Sequence, residues 1–86
     1  MVRGLSRELA SEGIRVNGVA PRAIGGELLS TLYKKEAIDK MIEKIPMRRL
    51  GTSEDIANVI IFLASELSSF INGETILVDG GRTFGG

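Results

Sequence analysis

Apolar residues recur at helical spacing in the first part of the chain. Val2, Leu5 and Leu9 fall on one face of the segment from Met1 to Glu12. Gly13 follows where the end of a helix favours a residue with left-handed backbone angles. The pattern therefore predicts a first helix that ends before Gly13.

A second helical pattern runs from Glu27 to Lys44, with a break expected near residues 33–35. Pro46 ends it. Two apolar clusters carry the pattern, the first made of Leu28, Leu29 and Leu32, the second of Ala37, Ile38, Met41, Ile42 and Ile45.

The third helix is predicted from Ser53 to about Ser65, and it begins with a capping signature. In "TSED", the Thr52 side chain can accept from the Asp55 amide while the Asp55 carboxylate reaches back. A wide apolar stripe follows, so burial on more than one side is expected. Its members are Ile56, Val59, Ile60, Ile61, Phe62 and Leu63.

Two strands are predicted, one on each side of these helices. The first runs from Ile14 to Ala20 and stops at Pro21, which cannot donate a ladder hydrogen bond. The second is the apolar run "ETILV" from Glu74 to Val78, after a turn at Asn72-Gly73. Because helices separate the strands, they are expected to pair in parallel.

Length makes this α/β pattern incomplete as a stand-alone domain. Eighty-six residues form one domain at most, and we find no boundary within residues 1–86. Parallel sheets normally have several strands with both faces covered, so two strands do not make an independent core. We expect the chain to be part of something larger, completed by residues upstream or by other chains.

Composition excludes several functions. Eleven basic residues balance eleven acidic ones, which argues against nucleic acid or an anionic membrane as the main partner. There is no cysteine or histidine, and the acidic residues are scattered, so no metal site is predicted. The longest apolar run, residues 59–64, is too short to span a bilayer. With no secretory signal in view, we expect a cytoplasmic protein.

Two stretches carry a family resemblance when they are taken together. "GLSRELASEGIRVNGVAP" and "IPMRRLGTSEDIANVIIFLASELSSFINGETILVDGG" resemble the C-terminal portion of a short-chain dehydrogenase/reductase. The resemblance extends from about Val2 to Gly81. Within this family, the chain most resembles enzymes of the 3-oxoacyl-carrier-protein reductase and glucose dehydrogenase type.

The resemblance implies a fold and an activity. The two strands would be the last two of a doubly wound, Rossmann-like parallel sheet, with flanking helices. Residues 27–45 would form a lid-like helical segment over the substrate. The complete enzyme would use NAD or NADP and transfer hydride between the nicotinamide and a carbonyl or alcohol.

The resemblance also assigns a cofactor-binding loop after the first strand. The family pattern there is Pro-Gly-x-Ile-x-Thr, in which the Ile backbone contacts the nicotinamide carboxamide and the Thr contacts phosphates. Pro21 and Ile24 match, whereas Arg22 replaces the Gly and Gly26 replaces the Thr. Arg22 adds bulk where special backbone angles are expected, and Gly26 lacks the hydroxyl. Both changes weaken the expectation that this chain alone binds the cofactor.

No catalytic residue is assigned. The family's glycine-rich phosphate turn, its catalytic Ser and its Tyr-x-x-x-Lys pair have no counterpart here, and the pair would lie just upstream of Met1. Tyr33 has Lys34 and Lys35 as sequence neighbours rather than a lysine one turn away. We expect it to be an ordinary amphipathic aromatic and the isolated chain to be inactive.

Three other features are given structural roles. "GGRTFGG" at residues 80–86 follows the last strand without a helix after it, so a terminal segment or a subunit contact is favoured over phosphate binding. Arg48-Arg49 is expected to form surface ion pairs rather than to bind an anion. Asn17 is expected to tie its strand to the surroundings.

Three functions remain open at this point. The first is a portion of an NAD(P)-dependent oxidoreductase. The second is a non-catalytic oligomerisation or interaction module, since family members assemble through the counterparts of residues 1–12, residues 53–64 and the last strand. We expect a homo-oligomer, or association with a missing N-terminal half. The third, an independent enzyme with a new site, is ranked last because no acid–base pair is evident.

Overall fold

The computed structural model describes residues 1–82, which form four helices, a 3-10 turn and two strands. The helical pattern of residues 27–44 is divided at Tyr33-Lys34, as the sequence predicts. The elements are α1 (Val2–Ala10), β1 (Gly18–Pro21), α2 (Glu27–Leu32), α3 (Lys35–Glu43), α4 (Ser53–Ala64), the 3-10 turn (Glu66–Ser68) and β2 (Thr75–Val78).

The first helix ends at Ala10, slightly earlier than predicted. Gly13 has φ +78°, so the left-handed position expected from the sequence is present. The Ile14 amide then donates to the Leu9 carbonyl at 3.2 Å, which closes the end of the helix. The chain turns away from α1 at this point and runs into β1.

The two strands pair in parallel, as predicted. Gly18 lies opposite Thr75 and Pro21 lies opposite Val78. Pro21 is the last residue of β1, where its missing amide hydrogen removes no ladder bond. On β2 exposure alternates, with Leu77 still 42% exposed. The continuous apolar run therefore has one face that residues 1–82 leave uncovered.

The first strand is shorter than predicted because a turn interrupts the ladder before residue 18. The Val16 amide donates to the Asn72 side-chain oxygen at 2.9 Å, and the Gly73 amide donates to the Val16 carbonyl at 2.9 Å. The Asn17 side-chain oxygen accepts from the Glu74 amide at 3.0 Å. Side-chain bonds thus replace strand pairing here, and the predicted tying role of Asn17 is confirmed.

The fourth helix matches its prediction closely at both ends. The Asp55 amide donates to Thr52 Oγ1 at 3.1 Å, and the Thr52 amide donates to Asp55 Oδ2 at 2.8 Å. This reciprocal pair is the capping box that "TSED" predicts. The expected burial of α4 on more than one side is not found within the described part of the chain, since Ile60 is 53% and Ile61 64% exposed. Among residues 1–82, no element covers these two side chains.

The described chain is extended for its length and has a small core. Ile45 is the one large apolar side chain that is buried among residues 1–82. The radius of gyration is 15.8 Å, against about 12 Å for a compact domain of this length. The accessible surface is 6499 Å², about 1,500 Å² more than a compact monomer of this mass exposes. These values agree with a partial Rossmann-like layer whose flanks are open.

Among residues 1–82, none of the helices has the length and apolar character needed to cross a membrane. The same residues contain no group of three acidic side chains arranged to hold a metal ion.

Candidate functional site

The carboxyl ends of both strands meet at one edge of the sheet and open onto a cavity of about 200 Å³. The Arg22 amide donates to the Val78 carbonyl at 3.2 Å, which extends the pairing by one bond before the two loops diverge. The cavity is lined by Arg22, Ile24, Met47, Arg49, Gly51, Asp55, Val78, Asp79 and Gly80.

The loop after β1 is held by a short parallel bridge between Ile24 and Gly51. The Gly51 amide donates to the Ala23 carbonyl at 3.0 Å, and the Gly25 amide donates to the Gly51 carbonyl at 2.9 Å. These two bonds leave the amide and carbonyl of Ile24 itself outside the bridge. Among residues 1–82 these two groups have no backbone hydrogen-bond partner, and Ile24 is one of the residues that line the cavity. A carboxamide group complements such a donor and acceptor.

Glycine at position 51 permits this close approach. A Cβ added there lies 2.6 Å from the Ile24 Cδ1 atom, a distance that real Cβ atoms do not show. At Gly25, an added Cβ lies 3.1 Å from Leu50 Cδ1. The sequence alone does not single out Gly51. The requirement for glycine at this position arises from its contact with Ile24, which lies 27 positions away along the chain.

The special backbone angle in this loop belongs to Ala23 rather than to Arg22. Ala23 has φ +58°, and the non-glycine residues with positive φ among residues 1–82 are Ala23 and Arg48. The expected conflict between Arg22 and a special backbone angle is therefore absent from the structure. The Arg22 side chain lies at the wall of the cavity and has an interaction partner within the protein.

Gly26 forms the start of α2 with φ +147°, an angle that glycine adopts without strain. No side chain caps this helix end. The hydroxyl that the family pattern places here is missing, as the sequence indicates, and the backbone angle shows that glycine suits the turn.

A charged pair fixes the opposite wall of the cavity. Arg49 Nη1 donates to Asp55 Oδ2 at 2.8 Å, and Nη2 donates to Oδ1 at 3.4 Å. The Arg49 hydrogen bond, aided by the Thr52 amide, lowers the pKa of the Asp55 carboxyl to about 2. The prediction that Arg48-Arg49 forms ion pairs is confirmed for Arg49.

The remaining sequence candidates lie away from this cavity. Tyr33 is 46% exposed at the end of α2, and Lys35 forms an exposed ion pair with Asp39 at 3.1 Å. Of the glycine-rich segment 80–86, residues 83–86 lie outside the described part of the chain.

One cavity residue that sequence reasoning missed is Asp79. It is 7% exposed, and its Oδ1 accepts from the Gly81 amide at 2.9 Å. The signal was present in "DGG", since an aspartate often bonds to the backbone two residues later in a turn. Met47 was missed as well, because an isolated methionine in a connector has no distinctive pattern.

These features define the class to which the molecule belongs. In an open α/β sheet, ligands bind in the crevice outside the carboxyl ends of parallel strands. The described chain has such an edge, and its cavity is lined by Ile24 and by the Arg49–Asp55 ion pair. It is therefore a portion of a Rossmann-like α/β protein.

Comparisons with known proteins identify the family within that class. The sequence model described as Enoyl-(Acyl carrier protein) reductase matches residues 1–83. A 3-oxoacyl-[acyl-carrier-protein] reductase from Staphylococcus epidermidis is 44% identical over 81 residues, which are 94% of this chain and 33% of that protein. A 7alpha-hydroxysteroid dehydrogenase from Escherichia coli is 41% identical over 94% of this chain and 32% of its own length.

Solved structures show the same relationship. A protein from Agrobacterium tumefaciens, assigned as a 2-deoxy-D-gluconate 3-dehydrogenase and solved with bound NADP, superimposes with a TM-score of 0.86. It is 37% identical to this chain, and the match covers 96% of this chain and 34% of that structure. The chain belongs to the short-chain dehydrogenase/reductase family of oxidoreductases. It spans about a third of the length of the curated relatives it matches.

Proposed function

We propose that these residues are the cofactor-loop and lid portion of an NAD(P)-dependent oxidoreductase. The complete protein transfers hydride between a nicotinamide cofactor and a carbonyl or alcohol substrate, in the cytoplasm. Family membership and the bound NADP of the Agrobacterium tumefaciens structure support the reaction class. The geometry of Ile24 supports the position of the cofactor.

The observation that carries this proposal is the unused amide and carbonyl of Ile24. Because the bridge to Gly51 uses the neighbouring Ala23 and Gly25 groups, the Ile24 pair is left for a ligand at the carboxyl edge of the sheet. A nicotinamide carboxamide offers the matching donor and acceptor. When bound, the nicotinamide accepts or supplies the hydride, and the protein orients it.

The other loop residues have separate roles in this proposal. Pro21 ends the strand, so the chain turns across the edge at that point. Arg22 supplies a guanidinium beside the cavity, suited to a phosphate oxygen. Gly26 supplies no hydroxyl, so this loop contributes less to cofactor phosphate binding than the family pattern does.

The proton transfer in the reaction requires groups outside these residues. We expect the isolated 86-residue chain not to oxidise NADH or NADPH with any carbonyl, because no side chain here occupies the family's Ser or Tyr-x-x-x-Lys positions. Steady turnover by that chain, abolished by a substitution at Tyr33, would refute this expectation.

A test of the wider proposal is to sequence the DNA upstream of the Met1 codon. The family's Tyr and Lys lie one helical turn apart. An open frame that encodes Tyr-x-x-x-Lys within about a dozen codons upstream of Met1 supports the oxidoreductase. Replacing Ile24 with proline in that protein removes the amide donor. The expected result is a raised KM for the cofactor. A stop codon directly upstream of Met1 would instead count against it.

Residues 27–45 are proposed as the lid that covers the substrate. Leu28 is 72% and Leu32 66% exposed on α2, which leaves apolar side chains for a substrate or for another element to cover. Substrate choice is therefore expected to change with substitutions at these two leucines.

The second candidate is a non-catalytic assembly module, which the uncovered apolar surface favours. Leu5, Ile60 and Leu77 are each at least 40% exposed. Val2, expected in the same set, is half-buried. Its Cγ2 lies 3.4 Å from the point that a Cβ added at Gly18 would occupy, so Val2 packs close to β1. We propose self-association of the isolated chain, or association with an N-terminal half that completes the sheet. Light scattering at micromolar concentration tests it, and a compact monomer would contradict it.

A further inference from the structure

A second cavity, of about 240 Å³, lies between α3 and the loop after β1. Two small or apolar residues contribute to its wall, Ala23 and Met41. The rest of its lining is cationic and consists of Arg22, Lys40, Lys44 and Arg82. Among the described residues no carboxylate lines this cavity, although the chain as a whole carries equal numbers of basic and acidic residues.

The two lysines lie one helical turn apart, Lys40 on α3 and Lys44 directly after it. Like charges at this spacing destabilise a helix by a few tenths of a kcal/mol. Glu36 lies one turn before Lys40, where an ion pair would offset that cost. Within residues 1–82, neither lysine has a carboxylate oxygen within 4.0 Å. Both ammonium groups are therefore available to a ligand.

The two arginines differ from the lysines because each has an interaction partner within the protein. Both carry a guanidinium at the cavity wall, alongside the two lysines. Asp79, the carboxylate nearest to Arg82 in sequence, lines the first cavity, and it has an interaction partner in addition to the Gly81 amide.

We propose that this second cavity binds an oxyanion, a phosphate or carboxylate group, that the substrate carries. Arg22 lines both cavities, so an anion held here lies beside the end of the sheet where the nicotinamide is proposed to bind. The lysines belong to the lid segment, which places the recognition on the element that covers the substrate. The substrate class is therefore an anionic carbonyl or alcohol compound, and this assignment rests on the proposed function.

The test titrates pyrophosphate into the protein as its gene encodes it, by isothermal titration calorimetry with NADP⁺ at saturation. NADP⁺ fills the phosphate positions of the cofactor, so the remaining binding reports the second cavity. We expect saturable binding that weakens at least about tenfold in Lys40→Gln/Lys44→Gln, because two charge-assisted contacts are lost. Lys40→Arg/Lys44→Arg, which keeps both charges, should bind within about threefold of the parent.

The matched control is Lys34→Gln/Lys35→Gln, which removes the same charge from the other end of α3. The Lys35–Asp39 pair it breaks is exposed, so its loss has little effect on stability. Pyrophosphate affinity that falls equally in the control and the test variant would overturn the proposal, as would no binding at all.

Two further outcomes separate the sources of the anion. If Lys40→Gln/Lys44→Gln weakens NADP⁺ itself at least about tenfold, the occupant is a cofactor phosphate and the substrate assignment is wrong. If the protein binds no NADP⁺ and shows no turnover, yet pyrophosphate binding still depends on the two lysines, the anion site stands and the oxidoreductase proposal fails.

Discussion

Arg49 donates hydrogen bonds from both of its terminal nitrogens to the carboxylate of Asp55, at 2.8 and 3.4 Å. The same carboxylate accepts the Thr52 amide at 2.8 Å, so one side chain caps α4 and also holds the connector that leads into it. Gly51 lies between these groups and forms the bridge to Ile24. The start of α4 and the loop after β1 are thus positioned by one small network.

This network predicts a change in the titration of Asp55. Replacing Arg49 with methionine removes the largest cause of the lowered pKa, so the Asp55 pKa should rise from about 2 towards its usual 3.8. Carboxyl ¹³C shifts followed by NMR over a pH series measure it. Lys35→Met, which breaks the unrelated pair with Asp39, should leave Asp55 unchanged. An equal pKa in both variants would contradict the role of Arg49.

The same pKa sets the direction of a pH effect on stability. A carboxyl whose pKa is lowered on folding stabilises the fold above its unfolded pKa, and this contribution is lost as the pH falls towards the folded value. For Asp55 the window runs from roughly pH 4 down to about 2. The difference in unfolding midpoint between the parent and Asp55→Asn, measured with urea, should therefore narrow across this window. A difference in unfolding midpoint that stays constant from pH 6 to pH 2 would show that the charge of Asp55 does not contribute to folding stability.

The capping box gives a prediction about Thr52. Thr52→Ala removes the oxygen that accepts the Asp55 amide, and it should lower the free energy of unfolding by about 1 kcal/mol. Thr52→Ser keeps that oxygen and should be nearly neutral. Ser53→Ala, at the first helical position, is the neighbouring control. Urea unfolding of the three variants measures the differences, and equal losses in Thr52→Ala and Ser53→Ala would argue against the cap.

Replacement by alanine should change folding stability in opposite directions at two glycines, Gly51 and Gly4. Gly51→Ala places a Cβ at 2.6 Å from Ile24 Cδ1, so the bridge must shift; both stability and cofactor affinity should fall. Gly4→Ala adds a Cβ with nothing within 4 Å in the helical segment α1, and it should raise stability by about 0.5–1 kcal/mol. Thermal unfolding and cofactor titration test the pair. Tolerance of alanine at position 51 would show that the close approach is not needed.

Among the arginines of this chain, Arg15 is expected to cause the largest loss of folding stability when it is replaced. Its guanidinium donates to the Leu63 and Ser65 carbonyls at 3.0 and 3.4 Å, at the carboxyl end of α4. It also donates to Ser68 Oγ at 3.0 Å and to the Ile71 carbonyl at 3.3 Å. Arg15→Met should cost about 2 kcal/mol, because several part-buried acceptors lose their donor. Arg7→Met, on the exposed face of α1, should cost less than about 0.5 kcal/mol by the same urea assay.

The sequence by itself determined the elements and their ends wherever the cause is local. The capping box needs two side chains three residues apart, and the end of α1 needs one glycine, so Thr52, Asp55 and Gly13 could be read directly from the chain. Parallel pairing also followed, because helices separate the two strands. The cofactor loop came from a motif, and its residues Pro21, Arg22, Ile24 and Gly26 remain predictions.

The tertiary structure decided what depends on residues distant along the chain. Pairing with the turn at Asn72-Gly73 shortened β1, and the bridge to Gly51 freed the backbone groups of Ile24. The left-handed angle is at Ala23, whose carbonyl accepts the Gly51 amide of that bridge. The basic cavity arose only when α3 folded against the loop after β1 and brought Lys40 and Lys44 near Arg22. Contacts between segments are set by packing and by hydrogen bonds between distant groups, and spacing along a single chain does not encode them locally.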